Sequence, residues 1–579
     1  LMNSWEQAYQ KWNTFQNLDV SLKARLDDLK NSNQALEDAF YKELTFGTGG
    51  MRGILGPGIN RMNIYTVRKA VNGLANYLLA NRVNVKDRGV VIAYDSRYMS
   101  KEFAVEAAKV LGYYGIHTHV FESIRPTPIL SFAVRYLGST AGIMITASHN
   151  PPEYNGFKVY NETGGQIILE EAEKIIASIK ETADELSVPY LELEQLAARR
   201  LLTWVGKEID NAYLERLAQI TRMDPVILNK EKELSIVYTP LHGTGLDLVT
   251  KGLAQLNFPN VHIVKEQAIP DPAFSTVESP NPEEHQAFSQ ALVLGKQVNA
   301  DILLGTDPDA DRLGVAVLTK DNEYQVLTGN QLGSLLLDYI LKRNDPVIYP
   351  NARMIKTIVT TELGREIANS YKVETIDTLT GFKYIGEKIH QFAATGETFV
   401  FGFEESYGYL ISSFVREKDA IQAAVMTTEM ANYWKQQGKT LLDALDDLYV
   451  KHGYYLEGLS SLTLKGKEGG QQITKIMETI REQPLKEIAG LKVEKVENYL
   501  TGERASMKDN KVEQINLPRE NMMKFKLEQN AWVCLRPSGT EPKIKCYFGV
   551  CGNSREASKQ KLAALQEKME GIIAGIISQ

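Results

Sequence analysis

Cysteine is nearly missing from this chain of 579 residues, which has three: Cys534, Cys546 and Cys551, none in a CxxC spacing. So sparse and odd a set excludes a disulfide framework and a zinc knuckle, and it leads us to expect a reducing, cytoplasmic compartment. Long apolar runs are also lacking. No stretch approaches the roughly 18 residues of a membrane helix, and Trp5, Glu6 and Gln7 stand where a secretory signal needs an apolar core. Nor is there an excess of positive charge. Lys and Arg number 65 against 72 Asp and Glu, a net of −7, and bases and acids are interspersed. That pattern argues against a nucleic-acid partner.

Several common catalytic signatures are missing as well. The segment Gly47-Thr48-Gly49-Gly50-Met51-Arg52-Gly53 is rich in glycine, but Arg52 occupies the third glycine slot of a dinucleotide fingerprint and no strand precedes it. Gly438-Lys439-Thr440 fails as a phosphate-binding P-loop because Tyr433 replaces its first glycine. Around Ser148 the hydrolase elbow GxSxG is broken by Thr146 and Asn150. Dehydrogenase, P-loop kinase and esterase readings lose their support.

What is present is an ordinary globular composition, 43% hydrophobic and 24% charged, at a length that suggests about four domains. The first 45 residues read as helix. Trp5, Tyr9 and Trp12 form one face, and Leu22, Leu26, Leu29, Leu36 and Phe40 predict a second helix, both packing as a cap. Beyond them, short apolar runs alternate with helical patterns in three similar α/β repeats. Each repeat opens on a strand (Val90 to Tyr94, Ser235 to Tyr238, Lys356 to Val359). A second strand follows (Ile116 to Phe121, Val261 to Lys265, Val373 to Thr378), and then a third (Gly142 to Thr146, Asp301 to Gly305, Thr398 to Phe403). From about residue 456 the texture becomes α+β. A helix covers Gln471 to Arg481, a polar stretch follows, strands lie near Trp532 and Ile544, and a closing helix is capped by Asn553 and Glu556.

An unusual polar loop follows the third strand of each repeat, where open α/β sheets bind ligands. The first is Thr146-Ala147-Ser148-His149-Asn150-Pro151. Its serine suits phosphoryl better than acyl transfer, although a turn that merely ends the strand is the plainer alternative. The second, Thr306-Asp307-Pro308-Asp309-Ala310-Asp311-Arg312, sets three carboxylates at period two. In an extended segment they point to one side and suit a hard cation such as Mg²⁺; a solvated acidic turn is the alternative. An EF-hand is excluded, because Arg312 and Leu318 replace its required Gly and Glu. The third loop, Gly402-Phe403-Glu404-Glu405-Ser406-Tyr407-Gly408, offers an acceptor and a hydroxyl for sugar hydroxyls. In the last segment, Arg536-Pro537-Ser538-Gly539-Thr540 has the makings of a phosphate cradle.

Taken in order, these four loops resemble the signature loops of the α-D-phosphohexomutase family, and the added N-terminal helices resemble its longer bacterial phosphoglucomutase branch. The resemblance implies three similar α/β domains plus a C-terminal α+β domain around a central cleft. The boundaries would be 1–205 with the phosphoserine loop, 206–322 with the Mg-binding loop, 323–455 with the sugar loop and 456–579 with the phosphate loop. It implies phosphoserine at Ser148, metal ligation by Ser148, Asp307, Asp309 and Asp311, and sugar contacts from Glu404 and Ser406. Arg52, Arg312, Arg536, Ser538, Gly539 and Thr540 would bind phosphate. Lys158 would be the general acid/base, with His149 and Lys383 as further candidates. The implied reaction is reversible interconversion of glucose 1-phosphate and glucose 6-phosphate, with Mg²⁺ as cofactor and glucose 1,6-bisphosphate as activator and intermediate. A phosphopentomutase or phosphomannomutase on the same scaffold is the alternative. Partners would be small sugar phosphates, with no nucleic acid and no membrane; monomer and dimer both stay open.

Overall fold

The computed structural model describes residues 4–47, 49–343, 351–464, 466–538 and 543–578. The chain divides into two compact units. One comprises Leu1–Thr328, Phe382–Gly402 and Ser406–Thr440; the other comprises Gly329–Gly381, Phe403–Glu405 and Leu441–Gln579.

The N-terminal cap has three helices, Ser4–Thr14, Val20–Leu29 and Asn33–Phe40. The single helix expected over residues 22–40 is broken because Ser32 leaves the helical region and its hydroxyl caps Ala35 N–H. A side chain that satisfies a free amide of a new first turn favours a restart over continuation. Trp12 is fully buried against Phe40 and Tyr65, with ring centroids 5.8 and 5.3 Å away, and its Nε1 donates to Glu185 Oε1 at 2.7 Å. The cap is thereby fastened onto the body, as expected.

The body of the first unit holds two mixed sheets. In the seven-stranded one, Val90–Tyr94 lies parallel to Thr118–Phe121 and Ala141–Ile145. Tyr154–Asn161 then returns antiparallel to Ala141–Ile145 and carries Lys158 back beside Met144. Gly50–Ile54, bearing Arg52, adds antiparallel to Tyr154–Asn161. All five residues of Val90–Tyr94 and of Ala141–Ile145 are buried, as strands covered on both faces must be. In the five-stranded sheet Ile302–Thr306 runs parallel to Ile236–Thr239 and antiparallel to Leu313–Leu318. The loop of three aspartates is the hairpin connection between Ile302–Thr306 and Leu313–Leu318.

In the second unit Ala352–Thr357 pairs parallel with Glu374–Thr378. The opening strand of the third repeat thus starts earlier than Lys356, because Ala352 and Met354 are also core positions. The C-terminal part builds an antiparallel sheet of eight strands among the described residues. Three of these, Leu491–Asn498, Glu503–Ser506 and Val512–Gln514, fill the stretch expected to be merely polar. Their mostly charged, half-exposed faces hide the strand signal. The closing helix Arg555–Ser578 is capped by Ser554, whose Oγ accepts from Ala557 N–H, in place of the expected Asn553 and Glu556. Among the described residues no helix is long and apolar enough to cross a membrane, and all three cysteines are free.

Candidate functional site

Ser148 sits three residues beyond Ile145, where strand Ala141–Ile145 ends, with a left-handed φ of 52°. Its N–H donates to Thr146 Oγ1 at 2.9 Å, the turn that stops the strand. The serine is buried, and its hydroxyl points into the neighbouring sheet, donating to Asp307 Oδ2 at 2.7 Å. Two residues 159 apart in sequence therefore share one hydrogen bond. A turn does end the strand, and the same turn aims the hydroxyl at the acidic loop.

The three aspartates do cluster, but not through an extended segment. The loop is a tight turn in which Ala310 takes φ 50°, and Asp307 Oδ1 accepts from Asp311 N–H and Arg312 N–H, each at 3.1 Å. One carboxylate thus organises the turn that gathers the other two. Asp307, Asp309 and Asp311 are all buried, with one oxygen of each within 4.8 Å of the others.

Two lysines face this cluster. Lys158 Nζ lies 3.0 Å from Asp309 Oδ2 and 3.8 Å from Asp311 Oδ2, and Lys418 Nζ lies 3.3 Å from Asp311 Oδ2. Thr127 holds Asp309 twice, its Oγ1 donating to Oδ2 at 2.7 Å and its N–H to the main-chain carbonyl at 2.8 Å. Burial, reinforced by Asp309 and Asp311, pushes the Asp307 carboxyl well above the usual carboxylate range. Burial opposes ionisation of Asp309 too, but there Lys158 and the hydrogen bonds from Asp307 and Thr127 together outweigh it and hold the carboxyl down. Three buried carboxylates cannot all be ionised side by side without further positive charge. Asp309 Oδ1 and Asp311 Oδ1 are buried with no hydrogen-bond partner among the described residues. An all-oxygen donor set with two such atoms fits a hard divalent cation.

His149 stands against Ser148, Nδ1 to Oγ 3.3 Å. Burial, together with Arg312 and Arg52, holds its imidazole down to about 2, so it is a neutral ring with little proton affinity. That is a poor general base, since transfer needs a pKa near the working pH. Arg52 Nη1 donates to Asn150 Oδ1 at 2.7 Å and so lies over the serine loop. Arg312 is paired with Glu283. The sugar loop is tied to the acidic one: Leu313 N–H donates to Tyr407 O at 3.1 Å, and Arg312 bridges Gly408. Ser406 is one residue from that tie.

Other expected residues lie elsewhere. Lys383 begins helix Phe382–Thr395 and lines a cavity of about 340 Å³ with Arg82, Lys174, Gln166 and His390, among whose lining residues Ser148 and the aspartates are absent. Expecting it to share proton transfer with Lys158 finds no support in that placement. Glu404, Arg536 and Ser538 belong to the second unit. There Glu404 Oε1 accepts from Gly381 N–H at 3.0 Å, Arg536 Nε lies 2.9 Å from Glu520 Oε1, and Ser538 N–H donates to Lys543 O at 2.7 Å. Gly539 and Thr540 lie outside the described residues.

Sequence reasoning passes over Thr127, Lys418, Asp95 and Arg97, all built into this site. Asp95-Ser96-Arg97 directly follows the buried opening strand of the first repeat, at the same sheet edge as the serine loop, which is the one signal that could have exposed it. Thr127 and Lys418 carry no such mark.

Models of the phosphoglucomutase/phosphomannomutase family match the chain in order: α/β/α domain I at residues 43–185, domain II at 211–320, domain III at 328–452 and the C-terminal domain at 477–568. The phosphoglucomutase of Staphylococcus aureus is 40% identical over 529 residues, covering 91% of this chain and 93% of that protein. That of Staphylococcus epidermidis is 38% identical over 549 residues, covering 94% and 98%. In fold, the chain is similar to pp63/parafusin, a phosphoglucomutase from Paramecium, in its open form, with a TM-score of 0.66 at 16% identity over 93% of this chain and 97% of that one. A buried serine on an aspartate cluster, four domain models in order and two-fifths identity over nine-tenths of the length leave one conclusion: this chain belongs to the α-D-phosphohexomutases, the phosphoglucomutase/phosphomannomutase family of isomerases.

Proposed function

We propose that the chain is a phosphoglucomutase, interconverting glucose 1-phosphate and glucose 6-phosphate through phosphorylated Ser148 and glucose 1,6-bisphosphate. The observation that carries this reading is the 2.7 Å bond from Ser148 Oγ to Asp307, inside a carboxylate cluster with two orphaned oxygens. The relatives named above supply the substrate. Asp307, Asp309, Asp311 and the Ser148 oxygen would hold Mg²⁺, which when bound offsets the negative charge on the transferring group and its oxygens.

The chain's own residues do the rest. In the forward direction the phosphoryl group leaves Ser148 Oγ for the free hydroxyl of the sugar phosphate. One P–O bond breaks at the serine and one forms at the sugar, whose hydroxyl proton must be taken up. Lys158, beside Asp309 Oδ2, is assigned to that proton, taking it up as the neutral amine and returning it as the ammonium when the other phosphate goes back to Ser148. Arg52 and Arg312 bring positive charge to the serine loop for the incoming phosphate. Glu404 and Ser406 are assigned to the sugar hydroxyls, and Arg536, Ser538, Gly539 and Thr540 to the phosphate that is not transferred. The domain boundaries 1–205, 206–322, 323–455 and 456–579 and a cytoplasmic site of action complete the proposal.

Intact-mass measurement tests it. Incubation with glucose 1,6-bisphosphate should add one phosphoryl group to the wild type and none to Ser148→Ala, which should also lose turnover. A fully active Ser148→Ala would overturn the mechanism. A strong preference for ribose 1-phosphate over glucose 1-phosphate would overturn the substrate.

A further inference from the structure

We propose that Asp95 and Arg97, a buried pair just after strand Val90–Tyr94, are positioning residues that hold Ser148 in its transfer-ready conformation. The inference rests on the reading of Ser148 as phosphoryl carrier and names what makes that serine competent.

The pair takes hold of Ser148 from both sides. Arg97 Nη2 donates to the Ser148 carbonyl at 2.6 Å and to the Asn150 carbonyl at 2.5 Å, while Nη1 donates to Pro151 O at 2.9 Å and Tyr154 O at 3.0 Å. Asp95 Oδ2 accepts from Thr146 Oγ1 at 2.6 Å, and that same oxygen of Thr146 accepts the Ser148 N–H at 2.9 Å. The amide and the carbonyl of Ser148 are thereby fixed by two charges of one buried pair. Asp95 is 1% exposed and Arg97 4%. Asp95 is itself anchored, its Oδ1 accepting from Ser100 Oγ at 2.7 Å and Arg97 N–H at 3.0 Å, and the Phe274 ring lies 4.9 Å from the Arg97 guanidinium carbon.

This hold has something to work against. A serine at φ 52° is sterically strained relative to right-handed backbone. In a loop free to relax, it would rotate out of that region and withdraw Oγ from Asp307. A planar, five-donor guanidinium can reach four carbonyls at once, which an ammonium cannot. A pair serving only the fold would not need to converge on both polar backbone groups of the serine whose hydroxyl meets Asp307.

The test uses the full chain with three substitutions: Arg97→Lys, Thr146→Val and Ser148→Ala. Time-resolved intact mass after mixing with glucose 1,6-bisphosphate gives the phosphorylation rate; steady-state kinetics gives kcat and KM; and melting curves with and without Mg²⁺ report whether the aspartate cluster is intact. The wild type gains one phosphoryl group and Ser148→Ala none, which tests the reading of the serine by itself. Arg97→Lys and Thr146→Val should then phosphorylate and turn over on the order of 10- to 100-fold more slowly, with KM and the Mg²⁺-induced Tm shift close to wild type. Thr146→Val keeps the side-chain shape and carries the test if Arg97→Lys does not fold. A wild-type phosphorylation rate in the variants overturns the inference while leaving the phosphoserine intact. So does a rate loss accompanied by equal loss of the Mg²⁺ shift, since that is general disruption. A wild type that takes up no phosphoryl group overturns the phosphoserine reading and this inference with it.

Discussion

Asp309 joins two separate elements of the site, strand Tyr154–Asn161 through Lys158 and helix Thr127–Tyr136 through Thr127. It faces Lys158, accepts from Thr127, and leaves Oδ1 bare toward the other two aspartates. Replacing it by Asn removes one ligand charge and the partner that orients Lys158, while its size stays the same. Asp309→Asn should therefore lower kcat on the order of 100-fold. Mn²⁺ affinity, measured by calorimetry without substrate, should weaken in parallel. Full activity at limiting Mg²⁺ together with unchanged Mn²⁺ affinity would count against the assignment. His149 illustrates how environment overrides residue type: a histidine beside a serine looks like a base, but burial between two arginines leaves its ring unable to hold a proton at working pH.

Helix Ala420–Lys435 is buried over most of its length, and it begins on Asp419, whose Oδ1 accepts from Ile421 N–H at 2.9 Å and Gln422 N–H at 3.0 Å. Tyr213 donates to Oδ2 at 2.7 Å. Even so, complete burial outweighs these bonds and pushes the carboxyl up to about 6 from 3.8. Between those values the folded chain binds more protons than the unfolded one, so stability falls as pH rises from about 4 to 6 and stays lowered above. This residue alone should make the fold weaker at pH 7.5 than at pH 4.5 by about 2 kcal/mol. Asp419→Asn keeps the acceptor that caps the helix and removes the buried charge. Its Tm should exceed that of the wild type at pH 7.5, and the excess should shrink toward pH 4.5. An excess of equal size at both pH values would show that the charge is not the cause.

At the scale of the whole molecule, three buried carboxylates only partly offset by Lys158 and Lys418 link cation binding to folding. A cation that binds only the folded chain stabilises it by RT ln(1 + [L]/Kd), about 2.7 kcal/mol at a hundredfold excess over Kd. Chelation should therefore lower Tm as well as abolish turnover, and Mg²⁺ should restore both; Asp307→Asn should reduce the Tm shift. A Tm indifferent to chelator would mean the cluster holds no resident cation. The net charge of −7 bears on the same point. The chain as a whole has no basic excess, yet Arg52, Lys158 and Arg312 stand at the serine and aspartate loops as a local basic set.

The amino-acid sequence by itself determined the parts: which loops are polar after buried strands, which carry serine, carboxylate or glycine, and the order in which they come. Those properties are local, because strand burial, turn chemistry and helix periodicity are written over fewer than about twenty neighbouring residues. Local signals fail where they are weak. The charged strands Leu491–Asn498 and Glu503–Ser506 have little apolar alternation to show, and the break at Ser32 rests on one hydroxyl. Only the tertiary structure decided the site. Ser148 meets Asp307 across 159 residues, Thr127 meets Asp309 across 182, and Lys418 reaches Asp311. No periodicity encodes such contacts. They follow from how two sheets pack and where one strand returns beside another, and that packing alone turns three aspartates, a lysine and a strained serine into a single electrostatic unit.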